Sequence, residues 1–141
     1  MTATLGNIIN LIDASLKAPL ITQTGESLNI IGQLVDMAGD DILLGGLSTF
    51  VLTVFNEADS ALVNSINAAN IKNVGRGTVD AGGAFVIRLD PDDTPIIDGT
   101  LADNAIEDHI ARLTWTWNDG VAVRTGIQEV RHRIQKLPVP A

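Results

Sequence analysis

The residues able to do chemistry are few. The chain has two histidines, His109 and His132, and no cysteine. Thiolate metal sites, cysteine nucleophiles and disulfides are therefore all excluded. Neither histidine stands at a spacing that pairs it with a second ligand, as His-Glu-x-x-His would. His109 shares an alternating face with Leu113 and Trp115, which reads as a half-buried structural histidine. No Gly-x-Ser-x-Gly elbow is present, so serine hydrolysis lacks its strained turn. Gly75, Gly77, Gly82 and Gly83 miss both the dinucleotide and the Walker spacings and read as turn formers. Three acidic clusters, Asp36/Asp40/Asp41, Asp90/Asp92/Asp93 and Glu107/Asp108, lack the Asp-x-Asp-x-Asp-Gly frame with its distal Glu. They read as turn residues rather than a calcium site. Trp115 and Trp117 would make a carbohydrate platform if they faced water, but their shared alternating face points to packing. No catalytic residue, metal or cofactor is expected.

The elements that hold these residues follow from the hydrophobic period. Residues 5–16 place Leu5, Ile8, Ile9, Ile12 and Leu16 at helical spacing, with Lys17 suited to the end of the dipole and Pro19 stopping the helix. This helix either docks on its own domain or reaches a neighbouring subunit as an arm. From Glu26 the period becomes two. Leu28, Ile30, Gly32 and Leu34 form one face, and Phe50, Leu52 and Val54 another. A weaker strand or short helix is expected at 61–66, and a loop at 67–77. The turn at 80–83 joins Thr78-Val79 to the strand 84–89, in which Phe85, Ile87 and Leu89 share a face. Residues 90–95 interrupt again. His109, Ala111, Leu113, Trp115 and Trp117 then line one side of the clearest strand. Asn118-Asp119-Gly120 turns it into a long strand ending near Ile134, with Gly126 expected to form a bulge. Roughly seven strands without an intervening helical period predict an all-β chain, an antiparallel sandwich of immunoglobulin-like or jelly-roll topology. The expected division is an arm over 1–25, a β-sandwich over 26–137 and a tail over 138–141.

Bulk properties narrow the partners. The 141 residues carry a formal charge of −8, which repels phosphate backbones and argues against nucleic acid. Only 18 % of residues are charged and 45 % are hydrophobic. That surface is too apolar for disorder and lean enough to expect a covering partner. A chain of this length buries roughly two-thirds of its unfolded surface, sufficient for a core of its own. The longest uncharged run, 42–56, is too short and too polar to span a bilayer, and the start lacks the charge of a signal peptide. A non-membrane protein made in the cytoplasm is expected.

Four segments carry a resemblance. They are Gly25-Glu26-Ser27-Leu28-Asn29-Ile30, Asp41-Ile42-Leu43-Leu44-Gly45-Gly46-Leu47, Thr78-Val79-Asp80-Ala81-Gly82-Gly83-Ala84-Phe85 and Ala111-Arg112-Leu113-Thr114-Trp115-Thr116-Trp117. In this order they resemble the small immunoglobulin-like β-sandwich domains of tailed-phage virion proteins, upper-baseplate adaptor domains and head-decoration proteins among them. The resemblance covers 26–137 and implies no catalytic residue. It implies a capsid cement protein on the outside of the virion, bound to the major capsid protein or other virion proteins and self-associating as a dimer or trimer. A tail, baseplate or head–tail connector component is the nearest alternative, and a carbohydrate-binding module a further one. The expected partner-binding residues are Leu5, Ile8, Ile9, Ile12 and Leu16 of the arm with Leu137 and Val139 of the tail.

Overall fold

The structure, a computed structural model, describes residues 21–36 and 38–138. Alternation of apolar and polar residues becomes strand throughout. In chain order the strands are β1 (Ile21–Gln23), β2 (Leu28–Gln33), β3 (Leu47–Asn56), β4 (Ala69–Asn70), β5 (Gly77–Val79), β6 (Ala84–Leu89), β7 (Ile106–Asn118) and β8 (Val123–Gln135). They form a five-stranded sheet in the order β1-β8-β7-β3-β4 and a three-stranded sheet in the order β2-β6-β5. All pairings are antiparallel except β1 on β8. Two short 3-10 turns, Leu44–Gly46 and Pro91–Asp93, are the only helical elements among the described residues. The fold is all-β and sandwich-like. The helix expected over 5–16 lies outside the described residues. β1 falls within the stretch assigned by the sequence to the arm.

One face of each sheet is apolar because side chains alternate sides along a strand. β3 buries Phe50, Leu52 and Val54, β7 buries Ala111, Leu113, Trp115 and Trp117, and β6 buries Phe85, Ile87 and Leu89. Phe50 and Trp115 are register partners on β3 and β7. Phe50 meets Trp115 edge-on at 6.4 Å and Phe85 of the other sheet at 5.2 Å. Edge-to-face contact sets the positive ring edge against the negative ring face, which adds about 0.5–1.5 kcal/mol per pair beyond burial.

Two expectations are corrected. Gly126 forms no bulge: β7 and β8 pair without a register shift from Ile106↔Gln135 to Asn118↔Val123. Gly126 is the cross-strand partner of Trp115, and a Cβ there would stand 2.5 Å from the indole ring. The glycine is a slot for the ring. The register shift that does occur lies in β3, between Leu47 and Thr49. The segment 61–66 is neither strand nor helix, and its one ladder contact is Phe55↔Leu62. Asn64 and Ser65 take left-handed backbone conformations (φ 49° and 57°), which break any regular run, while Val63 and Ile66 still reach the core.

The acidic clusters depart from the turn role expected of all three: Asp36 serves a turn, Asp93 is buried in an ion pair with Arg76, and Glu107 and Asp108 lie on β7 rather than in a turn. Asp36 Oδ1 accepts the Ala38 and Asp40 amides, and Asp80 Oδ1 accepts those of Gly82 and Ala84. Asp93 is buried and accepts two hydrogen bonds from the Arg76 guanidinium and one from Asn64. Burial pushes its carboxyl up, but these bonds outweigh that and hold it below its usual value.

Replacing Gly126 by Ala drives a methyl into the Trp115 ring and should cost about 1–3 kcal/mol. The urea midpoint measures this. Gly45, with no atom within 4 Å of its missing Cβ, is the control. Its Ala variant should change stability by about 0.5 kcal/mol or less. Equal effects at the two positions would contradict the slot.

Candidate functional site

The uninterrupted β7–β8 register decides what faces what. It places His109 opposite His132, and the β3–β7 register places Asn56 opposite His109. A row Asn56–His109–His132 therefore crosses three strands on the inner face, at the end of the sandwich away from the tryptophans. All three side chains are buried. The imidazoles stand edge to face with centroids 5.7 Å apart. Glu107, two residues before His109 on the same face, places Oε1 at 2.6 Å from His109 Nε2. Its carboxylate also accepts the backbone amides of Ile97 at 2.7 Å and Asp98 at 2.8 Å.

This geometry describes a clamp. Glu107 ties the segment following the Pro91–Asp93 turn onto β7, and His109 steadies Glu107. The Nδ1 of His109, both ring nitrogens of His132 and the Asn56 Oδ1 have no hydrogen-bond partner among the described residues. Burial of His132 pushes its imidazole down to about 3, repulsion from His109 adds to this, and a backbone contact at Val130 opposes it. His132 is a buried neutral group. General acid–base work needs a proton donor or acceptor that reaches a substrate, and both histidines are 0 % exposed.

A cleft of about 530 Å³ opens beside the clamp. It is lined by residues that include Asn56, Glu57, Asp59, Asp98, Glu107 and Asp108. Two of these acids have basic partners: Glu57 pairs with Arg131 at 2.6 Å, and Asp108 with Arg133 at 3.3 Å. Among the described residues no group of three or more His, Cys, Asp or Glu is arranged to hold a metal ion. Each of the described basic side chains also has an acceptor within the chain. Arg76, Arg112, Arg124, Arg131 and Arg133 pair with carboxylates, Arg88 contacts the Thr78 hydroxyl, and Lys72 and Lys136 donate to backbone carbonyls.

Of the residues expected to bind a partner, Leu137 alone is described, and it is exposed at 42 %. Leu5, Ile8, Ile9, Ile12, Leu16 and Val139 lie outside the described residues. Trp115 and Trp117 are buried, so neither offers a ring face to a sugar. His109 is wholly rather than half buried. Its pairing with His132 was missed because the two lie far apart in sequence, although the hairpin turn at Asn118-Asp119-Gly120 brings these positions together. The exposed apolar residues Val121 and Val123, at 88 % and 65 %, lie at that hairpin, with Ile127, at 56 %, further along β8. No protein-family model, no curated protein and no solved structure matches the chain significantly.

Burial of His132 makes stability acid-sensitive. His132 in the unfolded chain titrates near its ordinary 6.5, whereas the folded value is about 3. Between these values the unfolded chain holds the extra proton, so stability is complete above pH 6.5 and falls as the pH drops towards 3. From pH 7 to pH 5 the unfolding free energy should fall by about 2 kcal/mol. Urea titrations across that range measure it, and His132→Leu should remove most of the slope. A flat profile, or the same slope in the variant, would contradict the assignment.

Proposed function

We propose that this chain is a non-enzymatic structural protein of a tailed-phage particle. In this reading it is a capsid cement protein that sits on the virion exterior and adds contact area between major capsid subunits. The observation that carries the reading is the contrast between interior and surface. Both histidines are sealed inside, while Val121, Val123 and Ile127 stand exposed on the β7–β8 hairpin and β8. Such a molecule is built for contact rather than turnover. Cement bound only to the assembled shell stabilises it by mass action. Engagement of every described basic side chain and the charge of −8 fit a protein partner better than nucleic acid.

The strand order supports an immunoglobulin-like topology over a jelly roll. A first strand parallel to the last, then the order β8-β7-β3-β4 facing β2-β6-β5, matches an immunoglobulin sheet of strands G, F, C and C′ opposed to B, E and D. The chain has no cysteine for the disulfide of antibody domains, and the contact of Phe50 with Phe85 joins the two sheets. Copies also associate with one another in this reading, and the arm (Leu5, Ile8, Ile9, Ile12, Leu16) and the tail (Leu137, Val139) contact the capsid.

Quantitative mass spectrometry of purified particles tests the assignment. A cement protein should be present on the order of hundreds of copies per particle. Removing residues 1–18 should leave the β circular dichroism unchanged and strip the protein from the shell. A count of about six or twelve would place it in a connector or baseplate instead. Absence from particles would overturn the proposal.

A further inference from the structure

A sheet edge presents unpaired backbone donors and acceptors, and proteins cover such edges or use them. The two edges of the large sheet differ. At the β3 edge, β4 pairs with Val51 and Leu52. The rest is covered by hydrogen bonds from Asn56 N to Ala61 O, Val63 N to Val54 O, Val54 N to Ile66 O and Ile71 N to Phe50 O. At the other edge, β1 pairs only with residues 133–135 of β8. Along residues 123–132, β7 holds one side of β8, and no described residue bonds the backbone on the other. Of the usual deterrents this edge carries only charged side chains. It has no proline and no bulge, and its charges are already paired within the chain, Arg124 with Asp119, Glu129 with Arg112 and Arg131 with Glu57. Val123 and Ile127 stand exposed on it.

We propose that this edge joins two copies of the chain, β8 against β8, antiparallel about a two-fold axis at Ile127. It gives the self-association proposed above its surface and rests on that part of the reading alone. Chemistry selects the register. Opposed residues in an antiparallel pair point to the same side, so a two-fold axis perpendicular to the sheet must pass through a residue rather than between two. An axis at Ile127 sets Ile127 against its own copy, Thr125 opposite Glu129 and Val123 opposite the Arg131 stem on the outer face. On the inner face it sets Arg124 opposite Val130 and Gly126 opposite Gln128, whose buried Oε1 has no partner among the described residues. No like charges are opposed, and the pairing ends at residue 131, before β1 begins. An axis at Gln128 sets Ile127 against Glu129 and forfeits the apolar contact. An axis at Glu129 opposes two carboxylates and runs into β1 at Arg133. The self-complementarity of this register is what points to a second copy as the occupant.

The absence of cysteine makes the test direct. Directly opposed residues hold their Cβ atoms about 4.5–5.5 Å apart, close to disulfide range. In the full chain, Ile127→Cys should form a covalent dimer under mild oxidation. Ser48→Cys, exposed on β3 at the far side of the sheet, should not. Sedimentation should show a concentration-dependent dimer for the unaltered chain. Ile127→Lys, which opposes two charges at the axis, should weaken that dimer about tenfold or more with an unchanged β spectrum. A monomer at every concentration would overturn both this interface and the self-association, including the case in which the chain's own first 20 residues occupy the edge. A dimer that survives Ile127→Lys and fails to cross-link through Ile127→Cys would overturn the edge assignment and leave self-association standing.

Discussion

The rest of the structure depends on the contact of the Trp115 indole with the empty side-chain position of Gly126. The ring lies across β8, touches Phe50 on its own sheet and through Phe50 reaches Phe85 on the other. A one-residue slip of β8 would bring a side chain under the ring and turn every alternating residue to the wrong face. The register of the long hairpin is therefore held at its centre, and its consequences run both ways. Towards one end it aligns His109 with His132 and leaves Glu107 to hold Ile97 and Asp98. Along the β8 edge it presents Val123, Thr125 and Ile127 on the outer side of the sheet.

The two ends of the sandwich have different energetics. The middle is apolar except for Trp115 Nε1, which is buried with no hydrogen-bond partner among the described residues. The Glu107–His109–His132 end retains buried polar atoms without partners, and such atoms cost about 1–3 kcal/mol each where they are not satisfied. That end holds His132 neutral through burial, so folding there is weakened as acid protonates the unfolded chain. The outer face is of a third kind. Arg112–Glu129 and Arg131–Glu57 are exposed pairs, and pairs of this sort contribute about 0–1 kcal/mol each. Their value lies less in holding the fold than in neutralising the strand beside the proposed contact edge.

Much of this was legible in the residue pattern. The alternation through Phe85, Ile87 and Leu89, and again through Leu113, Trp115 and Trp117, specifies strands with one buried face, and the structure has them. Asn118-Asp119-Gly120 marked the hairpin. What the pattern lacked was partnership between strands. Gly126 has the same propensity in a bulge as beneath an indole, and only the register of β7 against β8 distinguishes them. Neither His109 nor His132 announces a pair until that register is counted outward from the turn. Residues 61–66 alternate weakly enough to suggest an element, yet left-handed Asn64 and Ser65 break it while Val63 and Ile66 stay buried. Asp93 looked like one more loop acid. Its burial under Arg76 and Asn64 depends on three segments meeting, which local periodicity does not encode.

In the proposed function this sandwich acts through its surface, its β8 edge foremost, and not through the polar end it encloses. Hydrogen–deuterium exchange of the full chain, dilute against self-associated, reads both places in one experiment. The account predicts slowed exchange along residues 123–131 with residues 97–108 unchanged. Protection confined to 97–108, with β8 exchanging as before, would contradict it and make the cleft beside Glu107 the working site.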